Sequence, residues 1–466
     1  MSKPNVILVM CDMLRAHEVG AYGNDVVRTP VLDRLAARGV RFEHAVTNNP
    51  VCQPARSSLM SGQYSRTCSV IGNSAGDPPR QERRELLDPT LPELLRDQGY
   101  RTALIGKWHI DPDPRLVGFD YAYHCTVIHR YREQLYMENG KQVGRVDFGP
   151  DHEAERVDAW LAERAGDEQP FFLYYSPGFP HMPLAPHELE RYADAYGRDE
   201  IPLRPNVFDA DGVMSHDEFW FKIYTIWDYF YRHWNGCIDA APDLGYPTDL
   251  VERPTDRVPE GFDLRELTRL YYGATTCLDD QLGRLVDSLE AQDMLDDTIL
   301  VFLSDHGDNL GSHNLYNKGT LNEESIRVPM MWHCPDQLAP RVNDQQVAQI
   351  VDVAPTILGL LGLEPPAHMH GRDLSGLLRG EQEALADTAG YIECTSGAIG
   401  IRTPTHAYGV NIAKDLAPWG LYDLTTDPYQ QQDLIAAPAT AELRADLHAR
   451  LMAWDARTPV RPPRTG

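Results

Sequence analysis

Thr298-Ile299-Leu300-Val301-Phe302-Leu303 runs without a charge straight into Ser304-Asp305-His306-Gly307-Asp308. So short an apolar run, with no polar alternation, predicts a strand buried on both faces, as strands of parallel sheets are. The same passage from apolar run to chemically capable residues recurs three times. Residues 6–10 lead into Cys11-Asp12, residues 102–105 into Gly106-Lys107-Trp108-His109, and residues 171–175 into Ser176-Pro177-Gly178-Phe179-Pro180-His181. Between these runs, residues 30–38, 91–98, 151–164 and 264–292 have helical periodicity and helix-forming composition. The alternation predicts an α/β domain, doubly wound around a large, mostly parallel sheet. Ligands of such open sheets bind beyond the carboxyl ends of the strands, so the four endings are expected to meet at one site.

The rhythm breaks at residues 196–262, which hold many prolines and an aromatic-dense run at 219–234. Aromatics at helical spacing suit packing, and a lid or interface over the site is the alternative. Past Pro365-Pro366, short strands are expected at 391–394, 400–402, 408–412 and 420–424, with a closing amphipathic helix at 441–454. The domains expected are therefore a catalytic α/β domain at 1–368, with an insertion at about 196–262, and a small antiparallel α+β domain at 369–466. The Arg- and Pro-rich tail, 457–466, is expected to be disordered.

Over 466 residues, 43 Lys and Arg face 69 Asp and Glu, a net charge of −26. Such a surface repels nucleic acid and anionic lipid, so any anionic ligand must be small and locally held. No apolar stretch reaches the ~20 residues that span a bilayer, and no secretory leader is seen. The eight cysteines are scattered, without a CxxC pair, which suits reduced thiols and a cytoplasmic location.

In Cys52-Gln53-Pro54-Ala55-Arg56-Ser57-Ser58-Leu59-Met60-Ser61-Gly62, the proline close behind the cysteine predicts a helix starting beside the thiol. Cys52 would then face unpaired N–H groups and the positive helix end, with Arg56 one turn on along the same side. A low-pKa thiolate and an inert buried cysteine both fit that spacing. A phosphatase loop does not, because its arginine would fall at position 58, which is Ser58. Asp12, Asp305 and His306 offer carboxylates and an imidazole to a hard divalent cation, although a strand-end Asp also caps helices. Lys107 and His109, two apart, can point into one cavity if the backbone there is extended. With Arg56, Lys318 in its Gly-flanked loop and a metal, they would form a positive pocket suited to a tetrahedral oxyanion. Taken singly, each lysine fits a solvated surface charge and His181 a turn histidine.

The Cys52 segment resembles the signature of the type I sulfatases, in the alkaline phosphatase superfamily: Cys52, Pro54, Arg56, Leu59 and Gly62 all fall in place. The resemblance continues through Asn5-Val6-Ile7-Leu8 with Asp12, Gly20-Ala21-Tyr22-Gly23, Gly106-Lys107-Trp108-His109, Pro180-His181-Met182-Pro183, Asp305-His306-Gly307-Asp308, Asn317-Lys318-Gly319 and Leu421-Tyr422-Asp423-Leu424. It implies hydrolysis of small-molecule sulfate monoesters through Cα-formylglycine, made from Cys52 by a formylglycine-generating enzyme. It further implies metal ligation by Asp12, Asp305, His306 and the modified Cys52. Arg56 would hold the formylglycine, Lys107 and Lys318 the sulfuryl group, His181 or Lys318 would protonate the leaving oxygen, and His109 would release sulfate. Calcium is the ion implied. Met13, where many members have a second carboxylate or Gln, and His306, where others have Asn, admit manganese or magnesium as well. A phosphonate monoester hydrolase or phosphodiesterase would share the signature, and a non-catalytic anion-binding protein would leave Cys52 unconverted.

Overall fold

A computed structural model of the chain describes residues 3–73, 80–125, 130–226 and 261–462. Its centre is β1 (Asn5–Cys11), flanked by β8 (Thr298–Ser304) and β7 (Phe171–Ser176), with β3 (Arg101–Gly106) beyond β7. All four of these strands run parallel. They are the four predicted strands, each extended by one or more residues. The rest of the ten-stranded sheet is β2 (Val40–Val46), β4 (Tyr121–Cys125), β5 (Arg132–Glu138), β6 (Lys141–Phe148), β9 (Met330–His333) and β10 (Arg341–Gln349), in the order β10-β2-β9-β8-β1-β7-β3-β4-β5-β6. β9, β5 and β6 are antiparallel to their neighbours, so the sheet is mixed at both flanks.

Register aligns the strand ends. Cys11 pairs with Ser304, and Gly106 with Ser176, so Asp12, Asp305 and Lys107 leave the sheet along one edge. Alternate residues feed two cores. Ile7, Val9, Leu173 and Phe302 face one side, packed with α6 (Leu264–Ala291). Val6, Leu8, Phe172 and Val301 face the other, packed with α2 (Cys52–Ser61) and α7 (Val353–Leu360). α6 also packs against α4 (Gly149–Ala162), and its buried Asp279 accepts from the N–H groups of Val31 and Leu32 at 3.0 and 2.8 Å, capping α1 (Pro30–Arg38).

β11 (Gly390–Glu393), β12 (Ala398–Arg402), β13 (His406–Asn411) and β14 (Ala417–Asp423) form a four-stranded antiparallel sheet. Leu447, Leu451 and Trp454 of α8 (Ala441–Arg457) cover it, in one core with Tyr64 and Val351. The tail differs from expectation. α8 continues to Arg457, and Arg461 is tied down by its N–H to the Arg66 carbonyl (2.8 Å) and its guanidinium to Asp88 (2.6 Å), so 457–462 lies against the body. Residues 463–466 fall outside the described residues.

Of the aromatic run, the described part forms α5 (Glu218–Thr225), with Phe221 and Tyr224 buried and Phe219 exposed. Positions 227–234, and the rest of the expected insertion to 260, lie outside the described residues. α3 (Leu91–Asp97) precedes β3. No described helix is long and apolar enough to cross a membrane. The seven cysteines among the described residues are buried, and no disulfide joins any two of them.

Candidate active site

α2 begins at Cys52 because Val51 is extended (φ −142°, ψ 138°) while the Ala55 N–H closes the first turn onto the Val51 carbonyl at 3.0 Å. Pro54 falls in this first turn, where its missing N–H costs no hydrogen bond. Gly62, at φ +64°, stops the helix with its N–H on the Ser58 carbonyl. Every residue of α2 is buried, so Cys52 sits at a positive helix end inside the protein.

Asp12, Cys52, Asp305 and His306 each present a ligand atom within 4.8 Å of the others, and all four are fully buried. His306 Nε2 lies 3.2 Å from the Cys52 sulfur and 3.5 Å from an oxygen of both Asp12 and Asp305. His306 Nδ1 is 2.8 Å from the Gly307 carbonyl, so its proton belongs there and Nε2 turns a lone pair toward the other three groups. Lone pairs converging on one buried point, with the imidazole fixed by a carbonyl behind it, fit a divalent cation. Burial alone would lower the His306 pKa, but the Asp305 carboxylate raises it, supplying the attraction a cation would use. Burial and Asp12 raise that of Asp305 in turn.

Arg56, beside residue 52, directs its guanidinium at the two aspartates. Its Nε donates to Asp305 (3.0 Å) and Nη2 to Asp12 (3.3 Å). Its Nη1 donates to Ser176 (2.6 Å), Tyr174 (3.2 Å) and the Lys107 carbonyl (3.3 Å). The guanidinium is thus a buried clamp that sets both aspartates. Lys107 reaches the same Asp12 oxygen, Oδ2, that Arg56 does.

The backbone around Lys107 is not extended. Gly106 has φ +104° and His109 φ +48°, both in the left-handed region. A Cβ at Gly106 would stand 2.3 Å from the Ser176 carbonyl oxygen. This turn still brings Lys107 and His109 to one side, and His109 hydrogen-bonds Cys52. His109 is held at about 4, chiefly by burial, and so is neutral near pH 7.

Lys318 completes the group, with Nζ 2.8 Å from the Cys52 sulfur and 2.9 Å from His181 Nε2. His181 Nδ1 faces the Met182 carbonyl at 2.5 Å, which leaves Nε2 to accept from the lysine. Burial and then Lys318 lower His181 to about 4, whereas Lys318, penalised by burial, is raised by Cys52 and Asp12. Burial alone would raise the Cys52 thiol, yet Lys318, Lys107 and His306 carry it well below the usual thiol value. Burial and Cys52 push Asp12 up, and Lys107, with His181 and Lys318, more than reverses them.

All nine expected site residues therefore meet at the strand ends. Sequence reasoning gave no role to Tyr174, Ser176 or Tyr224. Ser176 stood among the strand endings expected to meet and Tyr174 lies two residues before it on β7, whereas Tyr224 belongs to the aromatic helix and had no motif to mark it.

Fold and site together define a hydrolase of the alkaline phosphatase superfamily. The Sulfatase family model matches residues 4–363, and the model for the N-sulphoglucosamine sulphohydrolase C-terminal region matches 311–457. The chain belongs to the sulfatase family and is a sulfuric ester hydrolase. It is 30% identical to the choline-sulfatase of Rhizobium meliloti, over 97% of this chain and 87% of that one. It is 28% identical to the ulvan-active sulfatase of Formosa agariphila, over 97% and 80%. A structure solved in complex with its substrate, D-glucosamine-2-N,6-O-disulfate, shares the fold at a TM-score of 0.78 and 23% identity, covering 98% of each chain.

Proposed function

We propose that this site hydrolyses a small organic sulfate monoester at residue 52, and that each converging side chain has one task. The observation that carries this reading is the meeting of Lys318 Nζ and the His109 and His181 imidazoles on the Cys52 side chain, beside the four-residue ligand group. A sulfate ester resists hydrolysis because its oxyanions repel nucleophiles and its alkoxide leaves poorly. A site must neutralise the first and protonate the second.

Lys107 and Lys318 hold sulfuryl oxygens in this reading. Lys318 carries the proton that His181 accepts a hydrogen bond from, so this pair protonates the departing oxygen. His109, neutral near pH 7, accepts the proton whose removal releases sulfate. Arg56 acts by fixing Asp12 and Asp305. Formylglycine made from Cys52 and hydrated by one water carries two hydroxyls on one carbon: one takes the sulfuryl group, and loss of the other's proton re-forms the aldehyde and expels sulfate. Asp12, Asp305, His306 and residue 52 would hold the metal, which supplies charge neutralisation at the sulfuryl group and acidifies the attacking hydroxyl. Calcium is the ion proposed, and the two carboxylates with an imidazole also accept manganese or magnesium. Maturation by a formylglycine-generating enzyme, a cytoplasmic location and a domain boundary near residue 368 complete the reading. The relatives' names attach sulfatase activity to both ulvan and choline, which supports ester hydrolysis without choosing the alcohol.

The test is expression with the maturation enzyme, a mass spectrum of the peptide containing residue 52, and kcat/KM for aryl sulfate, sulfated sugar, choline sulfate, a phosphate diester and a phosphonate ester. A formylglycine mass with a sulfate ester leading is expected. A phosphorus ester leading overturns the sulfatase reading, and an unmodified thiol without turnover favours an anion-binding protein.

A further inference from the structure

We infer that Tyr224, on the aromatic helix α5, is a positioning residue that holds the Lys318 and His181 loops at their working distance. The inference rests on the sulfatase reading above and extends it to a part of the chain that carries no motif of the site.

Tyr224 is fully buried. Its hydroxyl donates to the Asp308 carboxylate, at 2.6 and 2.7 Å from the two oxygens, and accepts from the Asn317 N–H at 2.7 Å. Asn317 precedes Lys318, and Asp308 stands three residues after Asp305. One hydroxyl therefore bridges the metal-ligand turn and the base of the lysine. The Tyr224 carbonyl accepts from the N–H of Leu184, three residues after His181. A single residue thus touches both loops whose tips, Lys318 Nζ and His181 Nε2, lie 2.9 Å apart.

The rest of the surroundings stiffen the same point. The Asn317 carbonyl is held from the other side by the Asn309 N–H (2.7 Å) and side-chain amide (2.8 Å). Asn317 itself is at φ +62°, a left-handed conformation that needs such ties to persist. Tyr316 is packed among Trp220, Phe221 and Tyr224, with ring centroids 6.0 to 6.3 Å away. The described part of the aromatic run is accordingly a brace under the Lys318 loop. Lysine has a long, rotamer-rich stem, so its ammonium is only as well placed as the backbone beneath it. A misplacement of about 1 Å at a reacting group can cost on the order of 10²-fold in rate.

The test compares wild type with Tyr224→Phe, both as full-length formylglycine-loaded protein, on 4-nitrophenyl sulfate and on an alkyl sulfate. The alkyl ester needs its leaving oxygen protonated far more than the aryl ester does. Loss of the hydroxyl should lower kcat about 10-fold or more on the alkyl ester, less on the aryl ester, with KM little changed. In a Lys318→Ala background the same change should cost less than about 2-fold, because the group it positions is gone. Equal losses on both esters, equal losses in both backgrounds, or no loss would overturn the inference. Wild type that turns over no sulfate ester, sulfated sugars and choline sulfate included, would remove the sulfatase reading, and this inference with it; wild-type turnover with an unaffected Tyr224→Phe removes this inference alone.

Discussion

Among single residues, the proposed chemistry turns on Cys52. It lies at a helix N-terminus with Lys318 2.8 Å from its sulfur, a setting that stabilises an anion whatever atom carries it. Cys52→Ser offers one hydroxyl in that setting, enough to attack sulfur and expel the alcohol but not to shed the sulfuryl group. It should therefore release one equivalent of alcohol per site and stop, gaining the mass of one sulfuryl group at residue 52; repeated turnover by this variant would refute a need for formylglycine. Cys52, Pro54 and Arg56 were legible because their spacing fixes one helical turn. The partners of Arg56 were not: its donors go to Asp12, Asp305, Ser176 and Tyr174, scattered along the chain and joined only by folding.

The elements that matter most were legible where burial is complete. β1, β3, β7 and β8 are central strands covered on both faces, so their sequences are continuous apolar runs that stand out. Of the six strands that went unpredicted, β2, β5 and β6 are only partly buried and carry charges: Val40–Val46 includes Arg41, Glu43 and His44, and Lys141–Phe148 is mostly exposed. α4 carries a titration of its own. Burial pushes the Glu153 carboxyl up to about 8, while the Tyr136 hydroxyl donates to it at 2.8 Å. Unfolded, the same group titrates near its ordinary value of about 4.3. Between those values the folded chain keeps a proton that the unfolded chain has lost, so this group's stabilising effect is whole below about 4.3 and fades as pH rises toward 8. Glu153→Gln keeps the Tyr136 hydrogen bond without the titration. Its stability should fall less than that of wild type from about pH 5 to 8, by up to ~1.4 kcal/mol per pH unit, read from denaturant midpoints at each pH. Parallel pH dependences for the two proteins would contradict it.

Across the whole molecule, the small sheet is tied by buried charge to the segment between β8 and β9. Arg402 of β12 donates to both oxygens of Glu323, at 3.2 and 3.1 Å, five residues past Lys318. Burial would raise the Glu323 pKa, but Arg402 holds it below the usual carboxylate range. Arg402→Met leaves that carboxylate buried and unpaired, which should cost about 3–5 kcal/mol by calorimetry or denaturant unfolding. Adding Glu323→Gln should recover much of the loss; no recovery would mean that the arginine contributes packing alone. The net charge of −26 takes its meaning at this scale too, since Arg56 and Lys107 are among the most deeply buried side chains of the protein. The acidic residues face water in excess, and the cations that matter are inside. By itself the sequence determined the strand-and-ending alternation and the edge where the site forms, because local periodicity and spacing are written along the chain; the nine residues at that edge were legible through the resemblance of their motifs to the sulfatases. Only the tertiary structure decided that Arg56 clamps the aspartates, that Gly106 and His109 turn the chain by left-handed backbone, and that Tyr224 braces Lys318. Each of these depends on segments far apart in sequence meeting in a closely packed interior, where a buried donor must find its acceptor wherever the fold has placed it.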